Sequence, residues 1–420
     1  MFRLKGLTQI CLAYWFLGVS ATQTQPYPIS SELFNSLEEL SRLVDISYCV
    51  GTTGVQKPFQ CLSHCEDFPH LELVTLQTWN TGVLLSDSCG YVALSHSPAP
   101  KRIIIAFRGT YSITNTIIDL SAYPQTYVPY PDDEDNDKTS NSNNNGQRSS
   151  KLRCENCTVH AGFMESWLNA RSTVLPHVFS ALEEHPDYEV TLVGHSLGGA
   201  VAALAGLEMH LKGLNPQVTT FGEPMIGNDA FVKFIDRQFH LGNYSRPADD
   251  PEASQFRRVT HVNDPVPLLP LREWGYAPHA GEIFISKADL APLVEDVHIC
   301  LGDEDPGCIA GAETPSVLLD MYQDVNIPLD IFNVRLDPCA SNTGAKNRDL
   351  TQQVILGEQR VSEGAGSASC ASQDSTTALY PRHWDWSLIP AQYRLWELFF
   401  AHRDYFWRIG LCVPGGDPTG

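Results

Sequence analysis

The segment Thr191–Leu204, TLVGHSLGGAVAAL, places a serine at the centre of a Gly-x-Ser-x-Gly motif. The apolar run Val190–Val193 precedes the serine and predicts a strand, and the small residues of Gly199–Ala205 predict a closely packed helix. Such a strand-to-helix turn exposes a serine hydroxyl and directs backbone N–H groups at it. We therefore predict that Ser196 is a nucleophile and that the N–H of Leu197 is an oxyanion donor. The alternative is a serine at a helix start with no chemical role.

A nucleophilic serine needs a base, and the base needs a carboxylate that orients it. Asp264 ends a predicted strand at 256–262, a position at which a sheet offers catalytic groups. Asp264 also precedes Pro265 and so suits an Asx turn, a role compatible with catalysis. For a base, residue types alone do not choose among the later histidines, and any of them is also acceptable on a helix surface. These histidines are His279, His298, His383 and His402.

A second oxyanion donor is expected from the loop after another central strand. The apolar run KRIIIAF at 101–107 predicts a buried strand, and Thr110 at the end of AFRGT offers both an N–H and a hydroxyl. The next segment, YSITNTIIDL at 111–120, predicts a short amphipathic lid helix that covers the site in water and turns outward on an oil surface. The alternative is an ordinary surface helix. The apolar face of this helix comprises Ile113, Ile117, Ile118 and Leu120.

Predicted strands and helices alternate along the chain, which indicates an α/β fold with a crossover-connected, mostly parallel sheet flanked by helices. We predict helices at 33–48, 162–184 and 197–212, and extended segments at 71–78, 81–85, 91–95, 101–107, 188–194, 217–222, 256–262 and 282–287.

Two polar segments interrupt this alternation. Residues 131–153 are acidic and poor in apolar residues, which predicts a polar loop insertion. In residues 309–388 Gly, Ser, Ala and Asp recur, and we predict a long insertion that is partly ordered through Cys339 and Cys370. We expect residues 22–420 to form a single domain that carries both insertions.

The N-terminus has the pattern of a secretory signal peptide. Arg3 and Lys5 precede the apolar run Ile10–Val19, and small residues follow, so we predict a signal peptide at 1–21 that is cleaved after Ala21. The alternative, a membrane anchor, requires a longer apolar run. The sequence therefore predicts a secreted, extracellular protein.

The acidic composition excludes one class of partner. With 28 basic and 49 acidic residues the formal net charge is −21, whereas nucleic-acid binding requires an excess of Lys and Arg. No later segment predicts a transmembrane helix. The absence of paired Cys-x-x-Cys clusters argues against a zinc site, and we expect no metal or organic cofactor. Asn-x-Ser/Thr sequons predict glycosylation at Asn156 and Asn243.

The cysteine count also suits an oxidising compartment, where most cysteines pair. Of the twelve cysteines, Cys11 lies in the predicted signal, which leaves an odd number, and Cys89 is the candidate for the unpaired one. Short spacings suggest local disulfides, and a bond between the two outermost remaining cysteines would close nearly the whole domain. These cysteines are Cys61 and Cys65, Cys154 and Cys157, Cys300 and Cys308, and the distant Cys49 and Cys412.

Motifs in a fixed order extend along most of the chain. They are AFRGT (106–110), VHAGF (159–163), GHSLGGA (194–200), TFGEPMIGN (220–228), VNDPVPLLP (262–270) with GYAPHAGE (275–282), and AHRDYF (401–406) leading to GLC (410–412). Together they resemble the secreted filamentous-fungal lipases of the class 3 type, which are related to feruloyl esterases. The resemblance covers roughly residues 33–308 and 395–413 and implies an α/β-hydrolase fold.

The resemblance also assigns roles to individual residues. It implies a catalytic triad of Ser196, Asp264 and His402, with oxyanion donors at Thr110 and Leu197, and a structural role for His279. It implies four disulfides, to which we add a suggested Cys339–Cys370 bond. The end-to-end bond would contribute about 4–5 kcal/mol in the loop-entropy model. The implied pairs are Cys49–Cys412, Cys61–Cys65, Cys154–Cys157 and Cys300–Cys308.

We accordingly expect a secreted, monomeric serine carboxylic-ester hydrolase that acts on acylglycerols at an oil–water interface. A feruloyl esterase or a phospholipase on the same scaffold is the alternative, and a non-catalytic binding module is a third. The lid departs from the family pattern, because Thr116 stands where these lipases often carry Trp. The polar loop, which is longer than usual and follows the lid, and the long insertion are further departures. The insertion can restrict the substrate, bind a partner or have no role.

Overall fold

The computed structural model describes residues 27–74, 89–110, 120, 127–129, 154–242, 250–311 and 400–413. The chain divides into two units, residues 1–318 with 395–420 and residues 319–394, and all the described residues belong to the first. Several predictions lie outside the described residues: the signal peptide, the lid residues Ile113, Ile117 and Ile118, the loop at 131–153, Asn243, His383, the Cys339–Cys370 bond and nearly all of the insertion at 309–388.

Among the described residues the main sheet has nine strands, in the order β1-β13-β12-β10-β8-β7-β4-β3-β2. The five central strands are parallel, and two antiparallel strands flank them on each side. The strands of this sheet are β1 (Tyr27–Pro28), β2 (Leu71–Leu73), β3 (Cys89–Ser95), β4 (Arg102–Arg108), β7 (Glu189–His195), β8 (Gln217–Phe221), β10 (Phe256–His261), β12 (Glu282–Ile285) and β13 (Val297–Ile299).

A smaller antiparallel sheet is made of short strands in the order β11-β9-β6-β5. The sequence did not predict these strands, because segments of two or three residues carry no measurable period. They are β5 (Tyr127–Pro129), β6 (Thr158–His160), β9 (Gly227–Asn228) and β11 (Tyr276–Ala277).

Helices cover both faces of the main sheet. Along β4, Ile104 and Ala106 join the core cluster that contains the apolar residues of α1, whereas Phe107 packs edge-on against Trp167 of α2 at 6.2 Å between ring centroids. Every residue of β4 is buried, as expected for a parallel strand covered on both sides. The predicted α/β architecture, a mostly parallel sheet flanked by helices, is thereby confirmed. The helices are α1 (Ser31–Ser47), α2 (Ala161–Glu184), α3 (Leu197–Leu211) and α4 (Asp229–Phe239).

Helix α4 was missed by the sequence analysis, although its signals were present. Asn228 caps the helix by accepting from the N–H of Phe231, and Phe231, Phe234 and Ile235 recur at helical spacing and are buried. None of the helices in the described part of the chain is long and apolar enough to cross a membrane.

Four disulfides join described residues, and they are the pairs that the family resemblance implied: Cys49–Cys412, Cys61–Cys65, Cys154–Cys157 and Cys300–Cys308. Cys89 is buried in β3 and takes no part in these bonds. Asn156 is exposed, as its sequon requires, on the short loop between Cys154 and Cys157.

One buried histidine makes stability depend on pH. The Nδ1 atom of His160 accepts from the N–H of Phe163 and so caps α2, and burial lowers the pKa of His160 to about 4. The unfolded chain therefore binds this proton more tightly, so the stability that His160 contributes is complete above pH ~6.5 and is lost as the pH falls towards 4. Asparagine keeps a capping oxygen but does not titrate.

We expect His160→Asn to reduce the loss of unfolding free energy between pH 7 and pH 4 by about 1–3 kcal/mol. Urea unfolding at the two pH values measures this difference. His70, which is exposed, is the matched control, since His70→Asn removes a histidine without a burial penalty. Equal acid sensitivity of the two variants would contradict the prediction.

Candidate active site

Ser196 occupies a strained turn between β7 and α3. Its backbone has φ 58° and ψ −130°, a left-handed conformation that non-glycine residues rarely adopt. Its N–H donates to the carbonyl oxygen of Phe221 at 2.9 Å, which fixes the turn against the end of β8. The side chain is fully buried, and its Oγ has no hydrogen-bond partner among the described residues. The turn thus holds a hydroxyl that is committed to no other contact.

Close backbone contacts explain the glycines around this serine. A Cβ on Gly194 would lie 2.1 Å from the carbonyl oxygen of Gly198, and a Cβ on Gly198 would lie 2.4 Å from that of Phe107. Helix α3 therefore begins directly against β7 and β4, and any larger residue at either position would push it away.

Asp264 lies in the turn after β10, 1% exposed. Its Oδ1 accepts from the N–H of Val266 at 2.9 Å, which is the Asx turn weighed as its alternative role. Both carboxylate oxygens also lie 2.9 Å from Nδ1 of His402, and the hydroxyl of Tyr405 donates to Oδ2 at 2.5 Å. The Asp264 side chain therefore forms the local Asx turn and the long-range contact with His402 at the same time.

His402 is fully buried and not on a helix surface, because the helical residues end at Ala401 and turns follow. Its Nδ1–H donates to Asp264, which leaves Nε2 as the acceptor of the neutral ring. Nε2 is buried and has no hydrogen-bond partner in the described part of the chain. A Cβ on Gly222 would lie 2.8 Å from Cε1 of His402. Phe221 therefore contacts the Ser196 turn, and the next residue, Gly222, contacts the His402 ring.

Thr110 follows β4, and its Oγ1 is buried without a hydrogen-bond partner in the segments that the structure describes. The preceding residue lies against the serine, since a Cβ on Gly109 would come within 2.8 Å of Cβ of Ser196. Leu197 begins α3, where the first N–H groups have no acceptor within the helix. The two predicted oxyanion donors therefore belong to segments that adjoin Ser196.

Comparisons with known proteins agree with this geometry. A sequence profile described as "Lipase (class 3)" matches residues 104–274. The chain is 45% identical to Lipase A of Sodiomyces alcalophilus over 99% of its own length and 93% of that protein. The chain belongs to the class 3 lipases.

Two further relatives support the assignment. This lipase is 45% identical to the secreted mono- and diacylglycerol lipase 2 of Gibberella zeae, over 94% of the chain and 85% of that protein. The crystal structure of the Lip2 lipase from Yarrowia lipolytica matches with a TM-score of 0.58 and 33% identity, covering 69% of this chain and 91% of that one. The protein is thus a carboxylic ester hydrolase with the lipase fold.

Two of the other predicted base candidates, His279 and His298, lie among the described residues of the lipase, and their hydrogen-bond partners are groups other than Asp264. The ring nitrogens of His279 lie 2.7 Å from the carbonyl oxygen of Ala280 and 3.0 Å from Oε1 of Glu223. His298 lies 3.3 Å from the carbonyl oxygen of Gly307. Of the predicted lid only Leu120 is described, and it is helical and buried. The described residues contain no group of three or more side chains that could hold a metal ion.

Residues that the sequence analysis did not single out complete the lipase site. Tyr405 donates to Asp264, and its pKa is raised by burial and by that carboxylate, so the phenol stays protonated. The AHRDYF motif contains Tyr405 and was the available signal. Gly222 has φ +59°, and its missing side chain leaves room for the ring of His402.

Gly222 provides a direct test of this geometry. An added Cβ would lie 2.8 Å from both His402 Cε1 and the Tyr405 hydroxyl oxygen, so we expect Gly222→Ala to displace the histidine and lower kcat by about 100-fold. Gly213 is the matched control, because it has φ +89° and no atom within 4 Å of an added Cβ. Both variants should lose about 1–2 kcal/mol of stability to backbone strain. A similar kcat in the two variants would argue against the close packing of Gly222 on His402.

Proposed function

We propose that this lipase hydrolyses acylglycerol esters with Ser196 as nucleophile, His402 as base and acid, and Asp264 as the carboxylate that orients the histidine. One observation carries the proposal: Oγ of Ser196 and Nε2 of His402 are both buried and lack hydrogen-bond partners among the residues that the structure describes, while the other nitrogen of His402 is held by Asp264. Buried polar atoms normally have partners, and two such exceptions in neighbouring segments suit atoms reserved for substrate.

In the first half-reaction Nε2 of His402 takes the hydroxyl proton while Oγ of Ser196 bonds to the ester carbonyl carbon. The negative charge that develops on the carbonyl oxygen is stabilised by the N–H groups of Thr110 and Leu197 and by the Thr110 hydroxyl. The bond to the leaving alcohol then breaks, and His402 returns the proton to the alcohol oxygen. An acyl ester of Ser196 remains.

In the second half-reaction water attacks the acyl ester and His402 accepts its proton. Collapse of the second tetrahedral intermediate releases the fatty acid and restores the Ser196 hydroxyl. Asp264 keeps the Nδ1–H tautomer of His402 and stabilises the imidazolium in both halves. Every atom transferred comes from the ester, the water or the two side chains, so the cycle needs no cofactor.

The substrate class is supported by the relative from Gibberella zeae, whose name specifies mono- and diacylglycerols. The same name and the predicted signal peptide support secretion, with a mature chain that begins at Thr22. Action at an oil surface through a lid at 111–120, and a monomeric state, belong to the same proposal. N-terminal sequencing and size-exclusion chromatography of the secreted protein test the last points.

The decisive experiment compares initial rates on emulsified triolein, diolein and monoolein, on a soluble short-chain ester, on phosphatidylcholine and on methyl ferulate, with Ser196→Ala protein as the blank. We expect one or more of the acylglycerols to be the best substrate and the rate to rise once the substrate exceeds its solubility. Preference for methyl ferulate or for the phospholipid would overturn the acylglycerol proposal and retain the hydrolase chemistry.

A further inference from the structure

A buried hydrogen-bond chain connects the segments that carry the three parts of the site. Tyr48 directly follows α1, and its hydroxyl lies 2.6 Å from Nδ1 of His195. A Cβ on Gly109, the residue before Thr110, would lie 2.5 Å from the same hydroxyl oxygen, so the backbone of this loop packs directly against it. At the far end of the chain, Nε2 of His195 lies 2.7 Å from the backbone carbonyl oxygen of His402.

The chemistry of the end groups fixes the direction of every bond. A carbonyl oxygen only accepts, so Nε2 of His195 carries the proton that it donates to His402. Burial lowers the pKa of His195 well below its usual value, so the ring is neutral and Nδ1 is an acceptor. Burial raises the pKa of the Tyr48 hydroxyl, which therefore keeps the proton that it donates to Nδ1.

We propose that Tyr48 and His195 are positioning residues. Together they fix the position of the oxyanion loop at Gly109–Thr110 relative to the backbone of His402. The proposal rests on the catalytic roles proposed for Thr110, Ser196 and His402. His195 is the residue immediately before the nucleophile, so the chain passes through all three catalytic segments. One hydroxyl group thereby couples the position of an oxyanion donor to the position of the base.

The neutrality of His195 is part of this function. The rings of His195 and His402 have centroids only 4.6 Å apart, so a positive charge on His195 would oppose the imidazolium that His402 must form. The charged groups around the chain are Arg403, whose Cζ lies 6.0 Å from the Tyr48 ring centroid, Arg108, which donates to the Val50 carbonyl, and the buried Asp45. The positive charge of Arg403 disfavours a cationic His195 and so helps to keep the ring neutral.

Tyr48→Phe removes the central hydroxyl and keeps the ring. The neutral His195 is then free to adopt the Nδ1–H tautomer, which turns a lone pair towards the His402 carbonyl oxygen and repels it. We expect kcat for a soluble short-chain ester to fall about 10- to 100-fold with little change in KM. We also expect the apparent pKa of the acidic limb of the kcat/KM profile to shift downward, since a displaced His402 loses part of its stabilisation by Asp264.

Tyr91 provides the matched control. It is also fully buried, and its hydroxyl donates to the Leu43 carbonyl oxygen of α1 at 2.8 Å, outside the chain described above. Tyr91→Phe should lower the urea midpoint by an amount similar to Tyr48→Phe and leave kcat and the pH profile unchanged. If both variants retain the parental kcat and pH profile, Tyr48 is only a structural residue and the inference is overturned.

The same assays separate this inference from the proposed function. Activity retained in Ser196→Ala would overturn the proposed function, because Ser196 would not be the nucleophile. Activity lost in Ser196→Ala but parental kinetics in Tyr48→Phe would overturn the positioning role alone. Partial activity in Tyr48→Phe with a shifted acidic limb supports both.

Discussion

Replacing Ser196 by alanine is expected to lower kcat for ester hydrolysis by about 10⁶-fold, because no other group in the described site can form the acyl ester. The same change should raise the free energy of unfolding by about 1 kcal/mol, since it removes a buried hydroxyl that has no hydrogen-bond partner. The strained backbone and the unpaired hydroxyl of Ser196 favour the reaction but lower the free energy of unfolding. Initial rates and urea unfolding of the same preparations measure the two effects.

Ser166 is the matched control for this substitution. Its hydroxyl, in α2, is likewise fully buried and has no hydrogen-bond partner within the described ranges. Ser166→Ala should give a similar gain in stability and no loss of activity. Hydrolysis by Ser196→Ala within tenfold of the parent would rule out Ser196 as the nucleophile, and a loss of stability in this variant would show that its hydroxyl has a stabilising contact.

Asp264→Asn is expected to lower kcat by about 10⁴-fold while KM changes little. The asparagine NH₂ group would face Nδ1 of His402 and favour the tautomer with the proton on Nε2, which then cannot accept from Ser196. The amide also offers a single acceptor oxygen, whereas Asp264 accepts from the N–H of Val266, from His402 and from the hydroxyl of Tyr405. The loss should persist across the pH range in which the parent is active, because the substituted group does not titrate.

Asp236 is a suitable control for the carboxylate. It is partly buried and accepts from the N–H of Ala280 at 3.0 Å, an interaction that an asparagine oxygen retains. Burial raises the pKa of Asp236, so the neutral amide removes a desolvation cost and should leave activity at the parental level. If Asp264→Asn fell no further than Asp236→Asn, the orienting role of Asp264 would be excluded.

The central elements of the fold were predictable from the sequence because parallel strands bury both faces. The apolar run at 101–107 and the strand before Ser196 correspond to β4 and β7 within one or two residues. Helix α3 was equally clear, since its small residues follow a glycine-rich turn. Short edge strands were not predictable, because their pairing depends on partners far away in the sequence.

The site was predictable only in part from local patterns. The Gly-x-Ser-x-Gly motif indicated Ser196, and the end of a predicted strand indicated Asp264. Residue types, however, left four histidines as candidates for the base. The contact that distinguishes His402 joins residues 138 positions apart, and only the family resemblance indicated it beforehand. Tyr48 was missed for the same reason, because its bond to His195 spans 147 positions and no local motif reports it.

The Cys49–Cys412 disulfide determines what a break in the chain would do. Cys412 follows His402 by ten residues and bonds to Cys49, two residues after α1, whereas Ser196 and Asp264 lie earlier in the chain. A single proteolytic cut between Cys308 and His402 would therefore yield a two-chain enzyme, with the serine and the aspartate on one polypeptide and the histidine on the other, joined by this disulfide. Such an enzyme would run as one species on a non-reducing gel and as two after reduction.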